Sequence, residues 1–145
     1  MMTNQTRSLV ALAAAGLLLA SAPAFAGSMT YTADMNAASE VPPTASKGTG
    51  TVTATYDTET KVLTWKGTYT GLSGNAVAAH FHGPAPAGKS AGVEVAIAKA
   101  DSPFEGTATL TDAQAKDLAD GMLYVNVHTA ANPDGEIRGQ VVAGK

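Results

Sequence analysis

The sequence predicts an all-β fold, an antiparallel sandwich or barrel of Greek-key type, with one short crossover helix. Three observations predict it. About eight short runs alternate apolar and polar residues, with turn signals roughly every ten residues. Gly, Thr, Ala and Val are abundant and charged residues make up only 14% of the chain, a composition suited to half-buried strands. A single capping-box spacing marks the one helix.

The first 26 residues stand apart from this pattern. Met1–Arg7 is a polar lead, Leu9–Ala20 an apolar run, and Ala24-Phe25-Ala26 a small-x-small cleavage pattern. Residues 1–26 therefore read as a secretory signal peptide, its apolar run too short to span a bilayer. Residues 27–145 form one domain, large enough to bury a core and expected in the periplasm or the medium, with no membrane span after cleavage. The chain has no cysteine, which excludes disulfides, thiolate metal sites and cysteine catalysis. The net charge is −3 and no basic patch appears, so neither nucleic acid nor an anionic membrane is an expected partner.

Each element follows from local pattern. Ser28–Ala37 alternates Thr30, Thr32 and Asp34 with Met29, Tyr31, Ala33 and Met35, a first strand. Pro42 and Pro43 end that stretch, since proline cannot donate to a ladder. Thr49–Tyr56 and Lys61–Thr70 pair as a hairpin across the turn Asp57-Thr58-Glu59-Thr60, with Trp65 facing the core. Ala76–His82 is a strand whose Val77, Ala79 and Phe81 face inward. The run Gly83–Gly88 then makes a rigid loop.

Gly92–Ala98, in which Val93, Val95 and Ile97 alternate with Glu94 and Ala96, and Phe104–Leu110 are further strands. Thr111 and Gln114 open the helix Asp112–Asp120, a connector ended by Gly121. Met122–Thr129 has Leu123, Val125 and Val127 on one face and Tyr124, Asn126 and His128 on the other. After the turn Asn132-Pro133-Asp134-Gly135, Glu136–Val142 is the last strand.

The chemistry concentrates in three histidines, His80, His82 and His128, all in two of these strands. His80 and His82 lie on one face, about 6–7 Å apart at Cα. In both strands the apolar residues take one face and the histidines the other. If the strands share a sheet, all three imidazoles lie outside the core on one solvent-accessible surface, where they can hold a metal ion. Nitrogen donors without thiolate favour Cu(II), Zn(II) or Fe(II) over Ca(II) or Mg(II). Asn126 shares the face of His128 and can orient an imidazole. Arg138 is the only arginine after Arg7; it either guides an anion toward the metal or pairs with Glu136 or Asp134. Tyr124 has no role beyond packing.

Three segments together resemble the CHRD domain, named after chordin: Asn36–Pro43, Ala79–Ala85, and Leu123–Gln140. The resemblance covers nearly all of residues 27–145 and implies an extracytoplasmic immunoglobulin-like β-barrel, without an established activity. That family is in turn similar to copper/zinc superoxide dismutases. This second resemblance implies that His80, His82 and His128 are copper ligands, while Arg138 answers only loosely to that enzyme's guiding arginine. There is no fourth histidine to bridge copper and zinc, no recognisable zinc loop and no cysteine. A zinc site is therefore less expected than a copper or iron site of three imidazoles plus water. The leading expectation is an exported metal-binding domain. The alternatives are a superoxide dismutase-like redox enzyme on the same ligands and a metal-free adhesion or interaction module.

Overall fold

The computed structural model describes residues 27–144, so the signal-peptide reading of residues 1–26 lies outside the described residues. The alternating segments form β1 (Ser28–Asn36), β2 (Thr49–Asp57), β3 (Val62–Thr70), β4 (Ala76–His82), β5 (Val93–Ala96), β6 (Phe104–Thr109), β7 (Tyr124–Thr129), β8 (Ile137–Gln140) and β9 (Val142–Ala143). Among the described residues one α-helix, α1 (Asp112–Ala119), joins β6 to β7. All described pairings are antiparallel, in the order β5-β4-β7-β8-β1-β2-β3-β6, with β9 also on β1. The sheet curls into a nearly closed barrel around one core. The order mixes local hairpins with crossings from β3 to β4 and from β5 to β6, as expected of a Greek key.

The core follows the predicted alternation. Tyr31, Ala33 and Met35 on β1, Val52, Ala54 and Tyr56 on β2, and Leu63 and Trp65 on β3 are buried. Trp65 meets Phe81 of β4 edge to face, with ring centroids 5.1 Å apart. The capping box of α1 forms as expected, and its one large apolar residue, Leu118, is buried. The Gln114 side chain also donates to the Glu94 carbonyl at 3.0 Å, fixing the helix to β5.

Four expectations need correcting. Val77 was placed inward by alternation but is 63% exposed, because a bulge between Ala76 and Ala78 takes it out of register with β7. Val93 is exposed because β5 is a short edge strand. The predicted last strand is split at Val141, whose N–H still donates to the Leu123 carbonyl at 2.9 Å in register with β7, while Val142 and Ala143 pair with β1 instead. A 3₁₀ turn, Ala37–Ser39, follows β1, capped by Asn36 accepting from the Ser39 N–H at 3.0 Å.

The larger departure concerns β7 and β8. Alternation gives each a solvent face, yet every residue of β7 is buried. Two loops and the segment after β1 cover the outer face. The turn before β8 is held by Glu136, which is fully buried. Its carboxylate accepts from Ser46 Oγ at 2.6 Å, from Ser73 N and Oγ at 2.7 Å each, and from Thr129 Oγ1 and Asn132 Nδ2. One acidic group thus joins the loops before β2 and after β3 to the end of β7. Burial works to raise its carboxyl, but the hydrogen bonds from Ser46, Thr129 and Ser73 outweigh it and hold the value at about 2 against an ordinary 4.5.

A carboxylate depressed in the folded state stabilises the fold fully above about pH 4.5, and that contribution is lost as pH falls toward 2. Urea unfolding at pH 7 and pH 3 checks this. Wild type is expected to weaken between the two. E136Q is expected to be less stable at pH 7 by about 2–3 kcal/mol and to show a flatter pH dependence. Equal pH slopes for the two proteins would count against the assignment.

Candidate metal centre

The register of β4 on β7 assembles the histidines. His80 lies opposite Asn126, His82 opposite Tyr124, and Ala78 opposite His128, so all six side chains share the outer face. His80 and His128 are diagonal neighbours, with His80 Nδ1 3.1 Å from His128 Nε2. The ring centroids of His80 lie 5.4 Å from His82 and 5.0 Å from His128. One donor nitrogen from each of the three lies within 4.8 Å of the others. An ion at about 2.0–2.1 Å from three nitrogens in tetrahedral array would space them by about 3.3–3.5 Å. Ring movements on the order of 1 Å therefore convert this cluster into a ligand set.

Backbone carbonyls of the covering loops fix two of the rings. Nδ1 of His128 lies 2.8 Å from the Pro133 carbonyl, and Nδ1 of His82 lies 3.1 Å from the Ala91 carbonyl. A carbonyl only accepts, so both Nδ1 atoms carry the proton and both Nε2 atoms keep a free lone pair. His128 Nε2 can then accept from His80 Nδ1. His82 Nε2 is buried and has no hydrogen-bond partner. Outer-sphere carbonyls that set the tautomer in this way are the usual support of metal-binding imidazoles. Burial, reinforced by the neighbouring imidazoles, lowers His80 below its ordinary value. Burial also lowers His82, against the Ala91 hydrogen bond. Both effects keep these rings unprotonated and available near neutrality.

The site is less open than the outer-face expectation implies. His82 and His128 are each only 8% exposed, while His80 is half-buried. The cover is the loop between β4 and β5 together with the turn before β8. Tyr124 Oη fastens the first by pairing with both the N–H and the carbonyl of Ala91 at 3.1 Å. Gln140 Nε2 donates to Ala85 O at 2.8 Å on the same loop. The Tyr124 ring also stacks on His82, nearly parallel at 4.9 Å, and so has a role that sequence reasoning missed.

Asn126 is buried between His82 and Glu40, close enough to influence the protonation of both. Its Nδ2 makes a long contact to Asp134 O at 3.5 Å, and its Oδ1 has no partner. Arg138 is not paired with Glu136 or Asp134. Its guanidinium lies 3.4 Å above the Tyr124 ring, on β8, and Nη2 donates to Pro86 O at 3.3 Å and Gln140 Oε1 at 3.4 Å. Glu136 is engaged instead with the loop donors described above. Glu40 was unmarked by any periodicity, since it follows the 3₁₀ turn, yet it is buried beside Asn126.

The CHRD domain family model matches residues 31–141, a span that holds every strand from Tyr31 to Val141 and all three histidines. No curated protein and no solved structure matches the chain. Among the described residues, no helix is long and apolar enough to cross a membrane.

Gly135 lets Asn126 and Glu40 come together. Its φ is +126°, and a Cβ there would lie 2.4 Å from Glu40 Oε1 and 2.5 Å from Asn126 Nδ2. G135A is expected to cost about 2–4 kcal/mol in urea unfolding through backbone strain and overpacking. It should also shift the Asn126 side-chain amide resonances, which a purely local strain at the turn would leave in place.

Proposed function

The chain belongs to the CHRD domain family, and from its imidazole cluster we propose that it is an exported protein that binds a transition metal ion, copper or iron, through His80, His82 and His128. The observation that carries this reading is the buried Nε2 of His82, without a partner, beside two other imidazole nitrogens within 4.8 Å. A buried acceptor left unpaired costs about 1–3 kcal/mol, so its retention beside two like groups favours a cation as its partner. The donor set is nitrogen only, which suits copper and iron and not Ca²⁺ or Mg²⁺. Structural zinc sites are closed by four protein ligands, and only three residues make up this group among the described residues.

Each side chain has a part in this reading. His82 and His128 present Nε2 atoms oriented by Ala91 and Pro133, and His80 closes the set from the more exposed side. Tyr124 holds the His82 ring from its face, and Asn126 lies buried beside it. Asn126 therefore acts on the ligands without being one.

Isothermal titration of chelator-treated protein with Cu(II), Fe(II) and Zn(II) tests the proposal. One equivalent of copper or iron is expected to bind, raising thermal stability by about 2.7 kcal/mol at a hundredfold excess over Kd. H80A and H128A should abolish stoichiometric binding, and N126A should weaken it about tenfold. Copper and iron binding unchanged in the H80A/H82A/H128A triple variant would sink the reading.

A further inference from the structure

Beyond the imidazoles, on the far side of Tyr124, lies a second set of buried polar groups, none of them in the candidate ligand group. Arg138 is 2% exposed, and arginine is almost never so buried without an anion. Among the described residues the ion pairs within 4.0 Å are Lys61–Asp112 and Lys116–Asp120, so no carboxylate pairs with Arg138. Its two hydrogen bonds, at 3.3 and 3.4 Å, are long, go to neutral acceptors and both use Nη2. A guanidinium has five donors, so most of its capacity to receive an anion remains.

Glu40 presents the opposite case. It is 6% exposed, and its Oε1 accepts no hydrogen bond. Burial pushes its carboxyl up to about 7, against the lowering effects of Asn126, Arg138 and the Val41 N–H, with Asp134 adding to the rise. Glu40 and Arg138 line one cavity of about 440 Å³, with Ser39, Gly88 and Gln140 also on its wall. That volume is in the range of small-molecule sites.

A cavity with a buried cation and a buried carboxylate selects by charge. A simple anion meets repulsion from Glu40, and a simple cation meets it from Arg138. A molecule carrying both signs satisfies both walls. We propose that this cavity binds a small zwitterion of the amino-acid class, its carboxylate received by Arg138 and its ammonium by Glu40. The guanidinium is planar and suited to a carboxylate. The Tyr124 ring that supports it from one face holds its plane fixed. The site does not depend on the metal reading, because none of the three histidines lines it.

The groups facing Glu40 are Arg138 from β8, Asp134 from the turn before it, and the neutral amide of Asn126 from β7. Ammonium recognition needs Glu40 ionised, so affinity should rise with pH through about 7. Glycine is the probe, titrated calorimetrically into chelator-treated full-length protein, since glycine itself binds metals. One equivalent is expected to bind at pH 8, with acetate and methylamine each at least tenfold weaker. Affinity should fall about tenfold from pH 8 to pH 6. E40Q, which keeps the shape and loses the charge, should bind glycine at least tenfold more weakly at pH 8 and show no such pH dependence. R138K serves as the second arm, with circular dichroism melting to establish that each variant is folded, and should also weaken glycine. Acetate binding as tightly as glycine, no binding of glycine, or an E40Q variant with the wild-type pH profile would each overturn the proposal.

Discussion

The burial of β7 on both faces is the constraint on which the rest depends. One face, with Val125 and Val127, packs in the barrel. The other carries Tyr124, Asn126 and His128 under two loops. Polar groups taken out of water must find partners or cost free energy. Part of that demand is met by the loops themselves, whose Ala91 and Pro133 carbonyls accept from His82 and His128. Tyr124 and Gln140 hold the loop between β4 and β5, while Glu136 collects donors from Ser46, Ser73, Thr129 and Asn132 and so ties the turn before β8 to the loops before β2 and after β3. The carboxylate is therefore structural in location and functional in consequence: it fixes the end of β7 where His128 sits.

What the loops leave unmet has a common sign. Trp65 Nε1 aside, the buried side-chain atoms without partners among the described residues are Glu40 Oε1, His82 Nε2 and Asn126 Oδ1. With His82 protonated at Nδ1, all three are acceptors. They lie along one line of neighbours, with Asn126 between His82 and Glu40. A region short of donors attracts cations or groups that carry protons. A metal at the His82 end and an ammonium at the Glu40 end are two answers to the same local deficit, which is why both readings come from one stretch of sheet.

The legible part of this arrangement was the parity. Alternation in Ala76–His82 and Met122–Thr129 was enough to put three imidazoles on one face, because strand geometry fixes facing without any tertiary knowledge. Parity failed at Val77, where a bulge resets the count, and at Val93, where an edge strand has nothing to cover it. It also could not tell an outer face that meets water from one that meets a loop. The partners that matter at the site, Ala91 O and Pro133 O, are main-chain atoms, and any residue type carries them. Glu40 stands in irregular chain, where period carries no information. Spacing offers Arg138 either an anion near the metal or a carboxylate across the turn; its guanidinium lies instead on an aromatic face, a placement set by the packing of β8 against β7 and invisible in spacing.

The stack of Arg138 on Tyr124 on His82 brings the two ends of this face together. A metal ion on His82 would put positive charge on one side of the Tyr124 ring while Arg138 holds it on the other. Two cations sharing an aromatic spacer in a buried setting repel unless an acceptor offsets them. Glu40 is the carboxylate placed to do so, since it feels Arg138 directly and reaches His82 only through Asn126. Charge added at the imidazoles should therefore favour the ionised form of Glu40, and Glu40 ionised should in turn favour that charge. By linkage the coupling must be equal in both directions. The amide of Asn126, unable to titrate, is then the fixed element between two groups whose charges can change.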